Sequence, residues 1–302
     1  LMCTQEEYLQ TEAAGVRGRV GDYTMSKVGP GHLAEELWQF ARTLGLERLA
    51  KIQLNNTWEC SAVPYLPVPF LLRQTLRNLA DRGVTSLMAG WTLGGYPGGN
   101  LLLTDMEPEA LAALQFGPAA AAVLEAWRRF GEAFAHFPLH GASMLYTGPQ
   151  NYGPMAPLYA EPTGYRATMI GFPYDDVERW RGILLPPAVF EEEFRLLSEG
   201  WRAGTEVLQD AAPGVPDAFW EAFEDLRRVA EAACWHFRTT YLQILFVRLR
   251  DAQRTPGNLA RLLAILDEEA DLARRLAAIV RRDSRIGFEA SNHYYYTEQT
   301  LR

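Results

Sequence analysis

From residue 20 to residue 99 the chain alternates apolar strand-like runs with two segments of helical period, in the order strand, helix, strand, helix, strand. Residues 32–44 place Leu33, Leu37, Phe40 and Ala41 on one stripe, and residues 69–82 do the same with Leu71, Leu72, Leu76 and Leu79. Gly45 and Gly83 follow, where a left-handed residue closes a helix. Strands joined by helical crossovers run parallel. Parallel strands are expected at about 1–3, 22–25, 51–56 and 86–91, with the Gly/Arg-bearing stretch 15–19 as a loop. Two architectures fit this alternation, a doubly wound sheet and a (β/α)8 barrel.

After Asn100 the pattern becomes helical, at 107–115, 119–134, 187–208, 216–251 and 256–283. Leucine stripes in the last of these have i, i+3, i+4 spacing and read as core. Residues 140–172 are irregular and rich in Gly, Pro, Tyr and Met, too aromatic for a disordered linker. The chain therefore divides into a β/α part at 1–115 and a mainly helical part at 116–302.

Charge narrows the partners. A net charge of −8 over 302 residues argues against nucleic acid or an anionic membrane surface. No run reaches the roughly 18 apolar residues of a membrane helix. Cys3, Cys60 and Cys234 are scattered and odd in number, which speaks against a disulfide framework or a metal site and fits a cytoplasmic setting. The Gly-rich segment GGYPGG at 94–99 matches neither a dinucleotide fingerprint nor a phosphate loop, so no cofactor is expected. It reads either as a turn where backbone passes a ligand or as a plain strand-to-helix turn.

The chemistry concentrates in KIQLNNTWECSAVPYLP, residues 51–67. If the strand continues regularly, Gln53, Asn55, Thr57 and Glu59 share one face, and Ile52, Leu54, Asn56 and Trp58 the other. Amides and a carboxylate on a buried face need partners or a ligand. The plainer alternative is a buried polar network that holds a loop, with Glu59 on a surface turn. Other candidates at strand ends are Glu6, Asp22, Tyr23, Trp91 and Tyr96, and the tail at 284–297 adds His293 among three tyrosines. That tail either plugs a groove or lines a pocket. The remaining histidines, His32, His136, His140 and His236, read as structural. Carboxylates, amides and flat aromatics suit sugars: aromatic faces stack on C–H faces, polar groups bind hydroxyls, and glycoside hydrolysis needs two carboxyl groups.

The segments AKIQLNNTWECSAVPYLP, AGWTLGGYPGGN, EPTGYRATMIGFPYDD and SRIGFEASNHYYYT resemble those of bacterial proteins related to TIM-barrel glycoside hydrolases of the hexosaminidase-like class. The resemblance runs over most of the chain and matches the C-terminal part of longer proteins. It implies an α/β fold, a partial (β/α)8 barrel of late strands followed by a helical region. A missing N-terminal half or a partner chain would complete the barrel. Under this reading Glu59, Glu6 and Asp22 are the catalytic candidates. Tyr23, Asn55, Asn56, Trp58, Trp91, Tyr96 and His293 contact an oligosaccharide. The rivals are a non-catalytic carbohydrate-binding or scaffolding protein on a degenerate barrel, and a helical interaction module carried on a barrel fragment.

Overall fold

The computed structural model describes the chain except residues 22, 91–97, 142–144, 146–150, 165–174, 182–184 and 290–292, and the side chains of Glu289 and His293. Three strands form a parallel sheet in the order β1 (Met2–Thr4), β4 (Leu49–Ile52), β5 (Ser86–Ala89). The register sets Met2 opposite Leu49 and Leu49 opposite Ser86. The connections carry helices α1 (His32–Thr43) and α2 (Pro69–Asp81). Both start and end within a residue or two of the expected bounds, and Gly45 and Gly83 are left-handed, with φ of 67° and 68°. In α2 the expected stripe meets the core through Leu72, Leu76 and Leu79, whereas in α1 the buried face is Ala34, Trp38 and Ala41, rotated by one residue from the expected Leu33, Leu37 and Phe40, with Phe40 exposed. Both outer strands of the sheet carry exposed apolar side chains, Met2 on β1 and Leu87 and Met88 on β5.

Two strand expectations are corrected. The expected strand at 22–25 is not formed: Asp22 lies outside the described residues, and Tyr23–Met25 has no strand geometry, with Tyr23 left-handed at φ 60°. The stretch assigned to a loop instead forms an antiparallel hairpin, β2 (Leu9–Ala13) with β3 (Val16–Val20). Its turn residues Ala14 and Gly15 both have positive φ, 48° and 78°, the twist a two-residue hairpin needs. Ala at the first of these positions hides the turn from a composition reading, because Asn or Asp is the usual signal there. The expected strand at 51–56 ends at Ile52. Beyond it the chain leaves the ladder, and Gln53–Val68 is buried at every position whatever its parity.

The helical part contains α3 (Pro108–Phe116), α4 (Ala120–Phe134), the short α5 (Val177–Trp180), α6 (Pro187–Ala211), α7 (Asp217–Asp251) and α8 (Pro256–Val280). A small hairpin, β6 (Phe288–Glu289) with β7 (His293–Tyr294), and α9 (Glu298–Leu301) complete the chain. By length and composition Pro108–Phe134 is apolar enough to cross a membrane. Within the fold it is broken at Gly117 (φ 50°), and α4 turns Val123, Phe130 and Phe134 into the core. There Trp201 of α6 stacks on Phe130 at 4.5 Å and meets Phe237 of α7 edge-on at 5.0 Å, while its indole N–H donates to the Ala230 carbonyl at 2.9 Å. One continuous apolar core runs from Val20 near the sheet to Leu301 in the last helix.

A buried carboxylate inside the helical part gives a pH signature. Glu269 of α8 accepts from the Thr239 hydroxyl at 2.7 Å, and its other oxygen has no hydrogen-bond partner among the described residues. Burial pushes its pKa up to about 8, with Thr239 pulling the other way. A raised carboxylate pKa gives stability that is full below the unfolded value near 4.5 and is lost as pH rises through about 8. Wild type should therefore lose roughly 1 kcal/mol per pH unit from this group between those limits. Glu269→Gln removes the titration, so urea midpoints measured from pH 5 to pH 8 should fall less steeply in the variant. Equal slopes would contradict the assignment.

Candidate active site

The C-terminal ends of β1 and β4 lead into two segments that meet over the sheet, residues 5–7 and 53–68. Glu59 lies in the second and is 0 % exposed. Five donors converge on it. The Thr24 hydroxyl (2.8 Å) and the Ser26 hydroxyl donate to Oε1. The Met25 and Ser26 backbone N–H groups (2.7 and 3.2 Å) and the Thr57 hydroxyl (3.1 Å) donate to Oε2. The Thr57 hydroxyl, whose single proton is shared between two acceptors, also lies 3.2 Å from the Tyr23 carbonyl, so segment 23–26 is wrapped around the carboxylate. Burial pushes the Glu59 pKa up from the usual carboxylate range, and these hydrogen bonds and the Lys27 ammonium oppose it.

Glu6 is the second carboxylate, 1 % exposed, and its Oε1 accepts from the Thr24 backbone N–H at 3.2 Å. Thr24 thus bridges Glu6 and Glu59, one through its amide and the other through its hydroxyl. A single residue spanning them holds the two carboxyl groups within roughly 10 Å of each other. Tyr23, left-handed beside this bridge, places its hydroxyl 3.5 Å from the Lys51 ammonium, which also sits 4.5 Å from the centre of its ring. A lysine on the middle strand of a small parallel sheet, nine-tenths buried, is rare without a partner.

The amides do a different job. Asn55 accepts from the Asn100 backbone N–H at 2.8 Å and donates to the Gly98 carbonyl at 3.1 Å. Asn100 donates to the Leu54 and Leu66 carbonyls at 2.9 and 2.7 Å. The two asparagines knit the loop after β4 to the segment at 98–100. Asn56 is buried, and Trp58 is 4 % exposed and packs into the core rather than presenting an open face. Trp91, Tyr96 and Asp22 lie outside the described residues, as does the side chain of His293. The tail itself returns to this region. Gly287 N–H donates to the Ala62 carbonyl at 2.7 Å, the Ser61 hydroxyl donates to the Tyr295 hydroxyl at 3.5 Å, and the Tyr295 ring lies 5.6 Å from Tyr152 of the aromatic loop.

Sequence reasoning thus reached Glu59, Glu6, Tyr23 and Asn55, and set Thr57 on the same polar face as Glu59, but passed over Lys51, Thr24, Ser26 and Asn100. Lys51 carried a signal, as a lone charge in the apolar run LAKIQL. Thr24 and Ser26 carried none, since Ser and Thr are common in any loop. The histidines are engaged locally: His136 with Glu193 at 2.8 Å, His140 with the Val16 carbonyl at 2.8 Å, His236 with Tyr296 at 3.3 Å. Among the described residues no group of three His, Cys, Asp or Glu is placed to hold a metal ion.

No family model and no curated protein matches the chain. Among solved structures it is similar to a GH138 enzyme targeting pectin rhamnogalacturonan II, at 9% identity and a TM-score of 0.49, over 82% of this chain and 35% of that one. The chain therefore spans about a third of the length of the solved glycoside hydrolase to which it is similar.

Proposed function

We propose that the chain is a glycoside hydrolase, or part of one, that cleaves an oligosaccharide by carboxylate acid/base chemistry. The observation that carries this reading is the Glu6–Thr24–Glu59 bridge, two carboxyl groups held by one residue in the segments that follow the adjacent parallel strands β1 and β4. Retaining hydrolysis needs a separation of about 5–5.5 Å and inversion about 6.5–9.5 Å, and the bridge is compatible with either. A carboxyl group whose pKa is raised by burial suits a general acid, and Glu59 is such a group. Asp22, next to Tyr23 in sequence, is the alternative second acid. Tyr23, Asn56, Trp91, Tyr96 and His293 are proposed as the substrate-facing set, with Asn55 and Trp58, expected there from the sequence, holding the loop behind them. The three-stranded sheet with its open edges is proposed as part of a (β/α)8 barrel, completed by residues or a chain beyond those described, and the hexosaminidase-like class is the finer proposal.

A second reading has its own observation. Glu59 is wholly enclosed and five donors occupy its oxygens, as expected of a carboxylate that holds a loop in a non-catalytic carbohydrate-binding or scaffolding protein. A screen of aryl glycosides with wild type and Glu59→Gln, read as turnover per folded molecule, separates the two. The hydrolase reading expects loss of 10²-fold or more. Turnover untouched by the substitution removes Glu59 from the chemistry and leaves it the loop clamp.

A further inference from the structure

Of the chain's 29 basic residues 27 are arginine, and the two lysines, Lys27 and Lys51, both stand at the candidate site. Arginine pairs through a planar fork, whereas lysine is a compact point charge on a flexible stem. Lys51 is engaged with Tyr23, and Lys27 directly follows the segment 24–26 that clamps Glu59. We propose that Lys27 is a positioning residue of the carboxylate pair: its ammonium, anchored on the end of α4, sets how readily Glu59 gives up its proton, and so ties the acid/base chemistry to the docking of the helical part. The proposal rests on the hydrolase reading above.

Lys27 holds the site in two ways. Its backbone N–H donates to the Thr24 hydroxyl oxygen at 3.2 Å. That hydroxyl is left to give its own proton to Glu59 Oε1 at 2.8 Å, so the Lys27 peptide orients the residue that bridges Glu6 and Glu59. The Lys27 ammonium reaches the other way, to the helical part, and donates to the Ala135 carbonyl at the C-terminus of α4. The last carbonyls of a helix lack intrahelical donors and carry the negative end of its dipole, which suits a cation. A single side chain thus joins the loop around the carboxylates to the first long helix of the helical part.

The charges around it give the ammonium its electrostatic role. Glu59 on the sheet side and Glu193 of α6 on the helical side both attract it, against the burial that lowers the Lys27 pKa. Glu193 is itself held by His136, one residue past Ala135, at 2.8 Å. Around Glu59, Glu6 lies across Thr24, Lys51 is engaged with Tyr23, and burial pushes the Cys60 thiol up so that it stays neutral. Lys27 is the cation that opposes the burial of the Glu59 carboxylate. It therefore stabilises the anion left when a general acid at this position has given up its proton.

The sign of the effect follows. A general acid works while protonated, so turnover falls as pH rises through its pKa. Removing the cation disfavours the carboxylate, raises that pKa and moves the falling limb to higher pH. The test follows the Glu59 carboxyl by isotope-edited NMR, assigned by its absence in Glu59→Gln, alongside pH–rate profiles on the hydrolysed aryl glycoside. Lys27→Met removes the charge, Lys27→Gln removes it and retains an N–H donor, and Lys27→Arg keeps it. In the first two the Glu59 midpoint and the falling limb should rise together by about half a pH unit or more. KM should change less than about two-fold, and Lys27→Arg should keep the wild-type midpoint. An unmoved Glu59 midpoint in Lys27→Met and Lys27→Gln, even with lowered melting, would overturn the proposal and leave Lys27 a mechanical tie between loop and helix. A midpoint that rises equally in Lys27→Arg would also overturn it, since the charge is retained there. A midpoint that moves as expected in a chain that hydrolyses no aryl glycoside would uphold the Lys27–Glu59 coupling and overturn the hydrolase reading alone.

Discussion

Glu59→Ala should lower the unfolding free energy by about 4 kcal/mol, since it leaves several buried donors without an acceptor. The donors are the Thr24, Ser26 and Thr57 hydroxyls and the Met25 and Ser26 amides, all within the buried shell around the carboxylate. Three of those residues belong to one short segment, 24–26, so the loss should be local before it is global. Amide hydrogen exchange should speed up first at Thr24–Lys27, and thermal melting should fall by about 10 °C. Loss of less than about 1 kcal/mol would mean that water replaces the carboxylate at little cost and that the clamp is not what orders this loop.

Truncation before Ser284 should be the other large loss. The tail buries Ile286, Tyr296 and Leu301 completely or nearly so, and each contributes roughly 1.5–3 kcal/mol through burial. Its backbone ties Gly287 to Ala62 at 2.7 Å, and at Gly287 (φ 86°) a Cβ would stand 2.3 Å from the Tyr296 carbonyl. Removing it should cost about 5 kcal/mol or more and should also weaken saccharide binding at the proposed site, because Tyr295 leaves the Ser61–Tyr152 contact. A truncated chain that melts within a few degrees of the full one would show the tail to be an appendage. The geometry argues otherwise, since Tyr295 contacts residues on the sheet side of the molecule and not only the late helices.

The helices were legible in the sequence because their stripes repeat over many turns and Gly45 and Gly83 mark two of the ends. The parallel strands were legible in place but not in length. Lys51–Trp58 looks like a strand because apolar and polar residues alternate, yet alternation predicts a face only while the ladder continues, and here the chain leaves it after Ile52. From Gln53 onward burial no longer depends on parity, so the division of Asn55 and Glu59 from Asn56 and Trp58 has no structural counterpart. The β2–β3 hairpin was hidden by Ala14 in a left-handed conformation, which only the fold enforces. Glu59 and Glu6 were found because charged residues at strand ends are conspicuous. Their joining through Thr24 was not, because a threonine fourth in a polar loop looks like any other.

Turnover of a hydrolysed glycoside by Glu6→Gln tests the central claim most directly. The Glu6 carboxylate accepts from the Thr24 amide, and the glutamine side chain keeps an oxygen there, whereas Glu59 gathers five donors on its two oxygens, so the substitution at Glu6 should disturb the fold less than one at Glu59. If the bridged carboxylates are the acid/base pair, turnover per folded molecule should fall at least 10²-fold while melting stays within a few degrees of wild type, and Glu6→Gln combined with Glu59→Gln should lose little more than either alone. Hydrolysis by Glu6→Gln at the wild-type rate would contradict the account.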